Sequence, residues 1–467
     1  MSTKKRVIII GAGPAGYVCA IRLAQLGQSV TVVERSELGG TCLNVGCIPS
    51  KALIAAGCLV EKIGKAGAMG ITADGVNVDV EQLVSWKAAI VSRLTGGIGT
   101  LLSKNGVTVV RGSAKFKTAT SIEVTGEDGT QVLEADDIVI ATGSTPIELP
   151  GFKFDEADVW SSTGALAPDR IPAHIVVIGG GYIGLELGCM YRKLGSEVTV
   201  LEATDGALPG QDRDCVKVIE RSLKKSKAKL YTNTFARGYE RDGDVLKVRI
   251  ERAGKEEVVE CDQIISTVGR RPYSAGLGLD AIGLSANERG FLEVNGRMQT
   301  KVPNVYAVGD IAGQPMLAHK GSKEGLVAAA VIAGQAEEYD AKCVPAVIFT
   351  SPEMASVGLT EAQAAEQGIE VKSGSFPFAA SGRAMSLMET DGFVKVVADA
   401  KTDEVLGVHM VGPEVTELIA EAALAIELGA TAEDMARTIH AHPTLPEAMM
   451  EAAEAVHGAA VHIFQAK

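Results

Sequence analysis

Two stretches of the chain carry the same hydrophobic pattern. "VIIIGAGPAG" (7–16) and "IVVIGGGYIG" (175–184) each open on four β-branched residues and then turn through G-x-G-x-x-G into an Ala- or Leu-rich segment. An unbroken apolar run of that length predicts a parallel strand buried on both faces, and the segment after the glycines predicts a helix. A second apolar strand follows each unit, "SVTVVER" (29–35) and "EVTVLEA" (197–203), ending in a glutamate. From Gly11 to Glu34 is 23 residues, and from Gly179 to Glu202 is again 23. In such a unit the first glycine makes the tight turn (Gly11, Gly179) and the second lets backbone approach a pyrophosphate (Gly13, Gly181). The third packs helix on strand (Gly16, Gly184), and the acid about 20 residues on holds a ribose hydroxyl pair. Unpaired N–H groups at the helix start face the phosphates. The pattern therefore predicts two sites for adenine dinucleotides. Glu202 repels a 2′-phosphate, so the nicotinamide partner is expected to be NAD(H).

The remaining pattern orders the chain into domains. "IVIATGSTP" (138–146) and "IISTVGRRP" (264–272) read as strands ending in small residues, suited to lie behind a bound dinucleotide. "NVYAVGDIAG" (304–313) is a core-type strand ending in Asp310, with no fingerprint of its own. The expected division is a first dinucleotide domain at 1–148, a second at 149–272, a return to the first at 273–340 and a different unit at 341–467. The first domain carries a helical insertion near 80–104 and a polar β-rich stretch at 107–136. In the last unit, strands at 393–399 and 405–412 alternate with helices at 415–428 and 446–460. The fold class is α/β, with two Rossmann-like domains and a C-terminal α+β domain.

Length and charge narrow the class further. A chain of 467 residues is too long for one ordinary core. The net charge of −13 argues against a nucleic-acid or anionic-membrane footprint. No run is expected to approach the ~18 apolar residues of a membrane span. The first strand begins at Arg6–Val7, which leaves no room for a leader, so the expected compartment is the cytoplasm.

Eight cysteines, at 19, 42, 47, 58, 189, 215, 261 and 343, are too sparse for a disulfide framework, and only Cys42 and Cys47 are close in sequence. They lie in "GGTCLNVGCIPSKAL" (39–53). Five residues apart on a regular helix, their Cα atoms would be roughly 8–9 Å apart, beyond the ~7 Å at which a disulfide closes. Meeting requires a bent or broken turn, which Gly46 permits and which Pro49 favours. The pair can be read as small buried hydrophobes, as half of a zinc site lacking a second Cys or His knuckle, or as a redox dithiol.

"GGTCLNVGCIPSK", the two fingerprints, "ATG", "VGD" and "HAHPTLPE" (440–447), in this order from end to end, resemble the pyridine nucleotide–disulfide oxidoreductases. The resemblance is strongest to the branch that reoxidises dihydrolipoyl groups of an acyltransferase or lipoyl carrier protein in 2-oxo acid dehydrogenase or glycine cleavage complexes. It implies a homodimer with FAD and NAD as cofactors. FAD would be held by Gly11, Gly13, Pro14, Ala15, Gly16, Glu34, Arg35, Gly40, Thr41, Lys51 and Ala114, by the segment Ala141, Thr142, Gly143 and Ser144, and by Asp310 with Met316, Leu317, Ala318 and His319. NAD would be held by Gly179, Gly181, Tyr182, Ile183, Gly184, Glu186, Glu202 and Gly269. Cys42 would be the thiol that faces substrate and Cys47 the one that faces the flavin, the two forming a redox disulfide. Lys51 would pair with Glu186 near the flavin, and His442, oriented by Glu447, would be the acid–base catalyst. No metal is implied.

That histidine role agrees with physical chemistry, since only a thiolate attacks a disulfide and imidazole is the side chain suited to take a thiol proton near neutral pH. Three features bear on the branch. Tyr182 follows the second glycine run as in glutathione reductases, whereas Glu202 stands where those enzymes place arginines. The C-terminal "HGAAVHIFQAK" lacks the cysteine pair of mercuric reductases.

Overall fold

The computed structural model describes residues 4–465. Two five-stranded parallel sheets share the order of four strands and differ in the edge strand, which comes last along the chain in the first unit and first in the second. In the first the order runs 305–307, 137–140, 6–10, 29–34, 108–111, and in the second 159–160, 263–266, 174–178, 197–201, 229–231. The central strands owe their place to their composition: Val7 to Ile10 and Ile175 to Ile178 are buried throughout, as an apolar run covered on both faces must be. The strand Val305–Ala307 pairs with Asp137–Ile140, so the chain returns to the first sheet after completing the second.

Helices α1 (Pro14–Gln25), α2 (Gly40–Val45), α3 (Cys47–Lys65) and α4 (Val80–Lys104) belong to the first unit, α5 (Tyr182–Leu194) and α6 (Arg213–Lys225) to the second. Helix α7 (Ala318–Ile332) packs its buried face on α1. Antiparallel three-stranded sheets at 113–134 and 234–261 flank the two units.

The C-terminal unit is an antiparallel sheet in the order 346–348, 353–358, 405–412, 393–399, 371–377. It carries the short helices α8 (Glu361–Glu366) and α9 (Gly382–Leu387), then α10 (Val415–Leu428), α11 (Ala432–Arg437) and α12 (Glu447–Val456). Alternation along the strands divides its faces. Ala355, Val357, Val394, Val396, Val408 and Met410 pack with α10 and α12, whereas Ile348, Met354 and Val411 join the core of the second dinucleotide unit. A Cβ on Gly374 would lie 2.2 Å from Val456 N, so this glycine lets α12 lie directly on the strand.

Two expectations need correcting. Helix α12 stops at Val456, not 460: Gly458 adopts φ 68°, Ala459 N bonds back to Glu454 O at 3.0 Å, and His462 returns to bond Glu451. An 18-residue window within Gly40–Met69 does reach a mean hydropathy of 1.6. That helix is broken at Gly46, and its Leu53 and Ile54 are buried in the core formed with α5, a soluble-core reason for its apolar character.

Candidate active site

The dithiol is built by a helix that breaks. Cys42 lies in α2 and Cys47 is the first residue of α3, with Gly46 between them at φ −144°, ψ −116°. A Cβ at Gly46 would sit 2.8 Å from Thr41 O, so only glycine lets the two helices approach this closely at the break. Asn44 braces the first turn by donating to Leu38 O and Gly40 O, each at 2.9 Å. Both cysteines are free thiols here. The Cys42 thiol donates to Cys47 Sγ, and this bond, aided by the charge of Lys51 and opposed by burial, lowers the pKa of Cys47 to about 7. The same contact, with burial, pushes Cys42 far up. One thiol of the pair is thus prepared to be a thiolate and the other to stay protonated.

Lys51, one turn into α3, donates from Nζ to Glu186 Oε2 at 2.8 Å. Glu186 is nearly buried, and its other oxygen accepts the Phe349 N–H at 3.0 Å. The Phe349 ring lies 4.6 Å from Lys51 Nζ, a cation–π distance. Glu186 sits one turn into α5, the helix that springs from the second fingerprint. That helix therefore brings the second dinucleotide turn and the dithiol together.

At the first fingerprint, Gly11 has φ 106° and a Cβ there would lie 2.4 Å from Ala141 O; on Gly16 it would lie 2.0 Å from Gly11 O. Glu34 is buried, accepting Ala12 N at 2.7 Å through Oε2 and Ser36 N at 2.8 Å through Oε1. Helix α1 starts with neither an acid in its first turn nor a side-chain cap, which leaves its N–H groups available to phosphate. A cavity of about 600 Å³ extends from this turn. It gathers Gly11, Gly13, Pro14, Ala15, Glu34, Arg35, Gly40, Thr41 and Ala114 together with Cys42, Cys47, Lys51, Glu186, Tyr182 and Ile183. Ala141, Thr142, Gly143, Ser144, Asp310, Met316, Leu317 and Ala318 line its wall. His319 does not, as its ring bonds Pro345 O at 2.7 Å.

The second fingerprint repeats the first bond for bond. Gly179 also has φ 106°, and a Cβ there would lie 2.6 Å from Thr267 O; on Gly184 it would lie 2.1 Å from Gly179 O. Glu202 Oε2 accepts Gly180 N at 2.7 Å, and Oε1 accepts Thr204 N and Oγ1 at 2.7 and 2.8 Å. Around Gly181 a Cβ would meet nothing within 4 Å, so the turn is open. Gly179, Gly181, Gly184, Glu202 and Gly269 lie outside the 600 Å³ cavity.

His442 and Glu447 stand apart from the dithiol. His442 is 82 % exposed and its Nδ1 is 2.8 Å from Glu447 Oε1, while Glu447 Oε2 accepts Thr444 N at 2.8 Å. Among the described residues, none beyond 340 lines the dithiol cavity.

Several contributors carried little or no signal in the sequence. Arg270 donates from Nε to Ser144 Oγ and from Nη2 to Ser144 O, both at 2.8 Å, and Ser144 Oγ donates to Asp310 at 2.5 Å. Arg35 stacks over Tyr273 at 3.9 Å, and Glu324 accepts Gly309 N at 2.7 Å. Arg270 adjoins the predicted Gly269, and adjacency to a motif was its one signal; Phe349, Tyr273 and Glu324 had none.

Comparison with known proteins bears on this geometry. Residues 5–325 match the family described as pyridine nucleotide-disulphide oxidoreductase, and residues 344–453 match its dimerisation domain. The chain is 50% identical to dihydrolipoyl dehydrogenase of Bacillus subtilis over 457 residues, covering 98% of this chain and 97% of that one. It is 47% identical to the dihydrolipoyl dehydrogenase of Haloferax volcanii, covering 99% and 98%. Among solved structures, LpdA from Mycobacterium tuberculosis superposes with a TM-score of 0.90 at 29% identity, covering 96% of this chain and 99% of that one. The HOCl-induced flavoprotein disulfide reductase RclA from Escherichia coli gives 0.86 at 28%, covering 96% and 99%. With both of its family segments matched and relatives similar over almost their whole length, the chain belongs to the pyridine nucleotide–disulphide oxidoreductase family.

Proposed function

We propose that this chain is a homodimeric, cytoplasmic enzyme that reoxidises dihydrolipoyl groups with NAD⁺, using FAD and a Cys42–Cys47 redox pair. The observation that carries the reading is that one cavity holds the dithiol, the Lys51–Glu186 pair and a dinucleotide turn, in a chain half-identical to a dihydrolipoyl dehydrogenase. The domain division that goes with it assigns FAD to 1–148 with 273–340, NAD to 149–272 and subunit pairing to 341–467. The first turn fits FAD: a Cβ on Gly13 would meet nothing nearer than Gly40 Cα at 4.0 Å, so backbone stands open where the pyrophosphate belongs, and Glu34 is placed for a ribose. The open turn at Gly181, with Glu202 beside it, suits NAD.

Each side chain then has its work. With Nδ1 of His442 held by Glu447, Nε2 is the nitrogen turned to substrate. His442 of the partner subunit takes a proton from one dihydrolipoyl thiol. The thiolate attacks Cys42 Sγ of the oxidised pair, the Cys42–Cys47 bond breaks, and its electrons leave on Cys47. The second substrate thiol then displaces Cys42, its proton passing to the departing Cys42 sulfur, giving the cyclic lipoyl disulfide, a Cys42 thiol and a Cys47 thiolate. Two electrons have left the substrate. The lowered pKa of Cys47, about 7, lets it hold the negative charge beside Lys51. FAD held at the Gly11–Gly16 turn would supply a two-electron acceptor beside Cys47, and NAD⁺ held at the Gly179–Gly184 turn would supply the final hydride acceptor. Glu186 holds Lys51 in place, and Phe349 N holds Glu186. The lipoyl groups would be those of an acyltransferase or a lipoyl carrier protein, in a 2-oxo acid dehydrogenase or glycine cleavage complex.

The test is turnover of the holoenzyme with dihydrolipoamide and NAD⁺ against oxidised glutathione and NADH. Fast NAD⁺ reduction with the first pair is expected. Faster turnover with glutathione would overturn the substrate assignment.

A further inference from the structure

The fingerprint that faces solvent is fastened at its far end by a residue from another part of the fold. Gly180 sits in the middle of the second turn. Glu202 Oε2 accepts its N–H at 2.7 Å, and Leu208 N donates to its carbonyl at 3.0 Å. The segment 203–212 that joins these two contacts is under tension: Leu208 is buried at φ 48°, a left-handed conformation costly for a branched side chain. Such a conformation persists only when both ends are fixed. One end is fixed by Thr204, whose N and Oγ1 donate to Glu202.

The other end is held by the C-terminal sheet. Asp212 Oδ1 caps α6 by accepting Asp214 N and Cys215 N at 3.1 Å each, and Asp212 Oδ2 is 2.7 Å from Lys395 Nζ. Both side chains are only 6% exposed. Lys395 also reaches Asp214 at 3.0 Å and Glu361 at 3.3 Å. It belongs to a polar row across the sheet, paired with His409, which is paired in turn with Ser356. Ser356 Oγ donates to Gln211 Oε1 at 3.0 Å, so a second contact grips the same end of the loop. Of the three carboxylates that converge on this buried ammonium, Asp212 alone is itself buried, so removing the lysine leaves one buried carboxylate without its cation, which is costly.

We infer that Lys395 is a positioning residue for the nicotinamide dinucleotide, holding the loop 203–212 so that Gly180 and Glu202 keep the geometry that receives NAD(H). This rests on the proposed function for the identity of the ligand. It makes nucleotide affinity depend on a domain that does not itself touch the nucleotide.

The experiment uses FAD-loaded dimers of wild type, Lys395→Met, Lys395→Arg and Asp212→Asn, the last keeping an α6 cap through its amide oxygen. NADH binding is titrated by fluorescence, KM for NAD⁺ and kcat are measured, and reduction of the oxidised enzyme by dihydrolipoamide is followed without NAD⁺. Lys395→Met should weaken NADH binding and raise KM about tenfold, a typical coupling between sites. Reduction by dihydrolipoamide should stay within about twofold of wild type. Asp212→Asn should shift binding the same way, by less, and Lys395→Arg should restore part of it. If Lys395→Met does not fold, Asp212→Asn and Lys395→Arg decide alone. Unchanged NADH affinity in the folded variants overturns the inference. Failure of wild type to react with dihydrolipoamide would overturn the proposed substrate and leave the NADH titration to judge Lys395.

Discussion

The two dinucleotide turns are nearly the same object locally and serve different ends. In each, a buried glutamate accepts the N–H of the residue after the first glycine at 2.7 Å, and in each a later N–H returns to that residue's carbonyl, Gly39 to Ala12 at 2.9 Å and Leu208 to Gly180 at 3.0 Å. They differ in the segment beyond that return. After Gly39 the chain enters α2, breaks at Gly46 and delivers two cysteines into the cavity. After Leu208 it runs to Asp212 and the cap of α6, with no reactive side chain on the way. The turn supplies a place for a dinucleotide. The insert after the second strand decides whether covalent chemistry happens beside it.

Four experiments break or sharpen that contrast. Cys42→Ser or Cys47→Ser should cut dihydrolipoamide oxidation by about a thousandfold or more, because either change removes the disulfide that the substrate thiolate must attack. NADH-driven reduction of an artificial dye should survive, because the second turn is untouched. If dye reduction is lost as well, the two halves are not separable. His442→Gln should cost about a hundredfold or more, and refolding it with Cys47→Ser at equal ratio should restore about a quarter of the sites, since half the dimers are mixed and each has one intact site. No recovery, with mixed dimers confirmed by mass, would place both residues in one chain's site.

The smaller effects concern charge. Glu202→Ala should weaken NADH by ~1–3 kcal/mol and leave flavin content intact, while Glu34→Ala should lower flavin content; the reverse pattern would exchange the cofactors between the turns. A preference for NADP⁺ in the wild type would sink the reading of Glu202. Alkylation of the reduced enzyme should show Cys47 ionising near pH 7 where an ordinary thiol requires about 9. Its ionisation then contributes stability that is fully present above 9 and is lost as pH falls through 7. Lys51→Met should move the alkylation midpoint upward, and no movement would remove Lys51 as a cause.

Local chemistry was legible wherever the backbone itself made the site. The G-x-G-x-x-G runs, the buried strands on either side and the glutamates 23 residues on needed no distant partner, since glycine geometry and apolar runs are read from neighbours in sequence. The broken turn at Gly46 was also visible, because a regular helix holds Cys42 and Cys47 too far apart. Arg270 was not legible: its partners, Ser144 and through it Asp310, lie over a hundred residues earlier or some forty later. Phe349 N reaches Glu186 from a different domain in the same way.

The sequence by itself determined two dinucleotide turns and the need for a broken turn if Cys42 and Cys47 are to meet, each set by residues a few positions apart whose φ and spacing are local, while the family resemblance implied the redox pair and the histidine oriented by Glu447. The Lys51–Glu186 pair was implied by the family resemblance; only the tertiary structure decided that Phe349 N holds Glu186 in it, that His442 stands exposed and away from the dithiol of its own chain, and that Lys395 closes on Asp212. The physical reason is that burial and ion pairing are properties of neighbours in space, and the pairs that matter here are 135 and 183 residues apart along the chain.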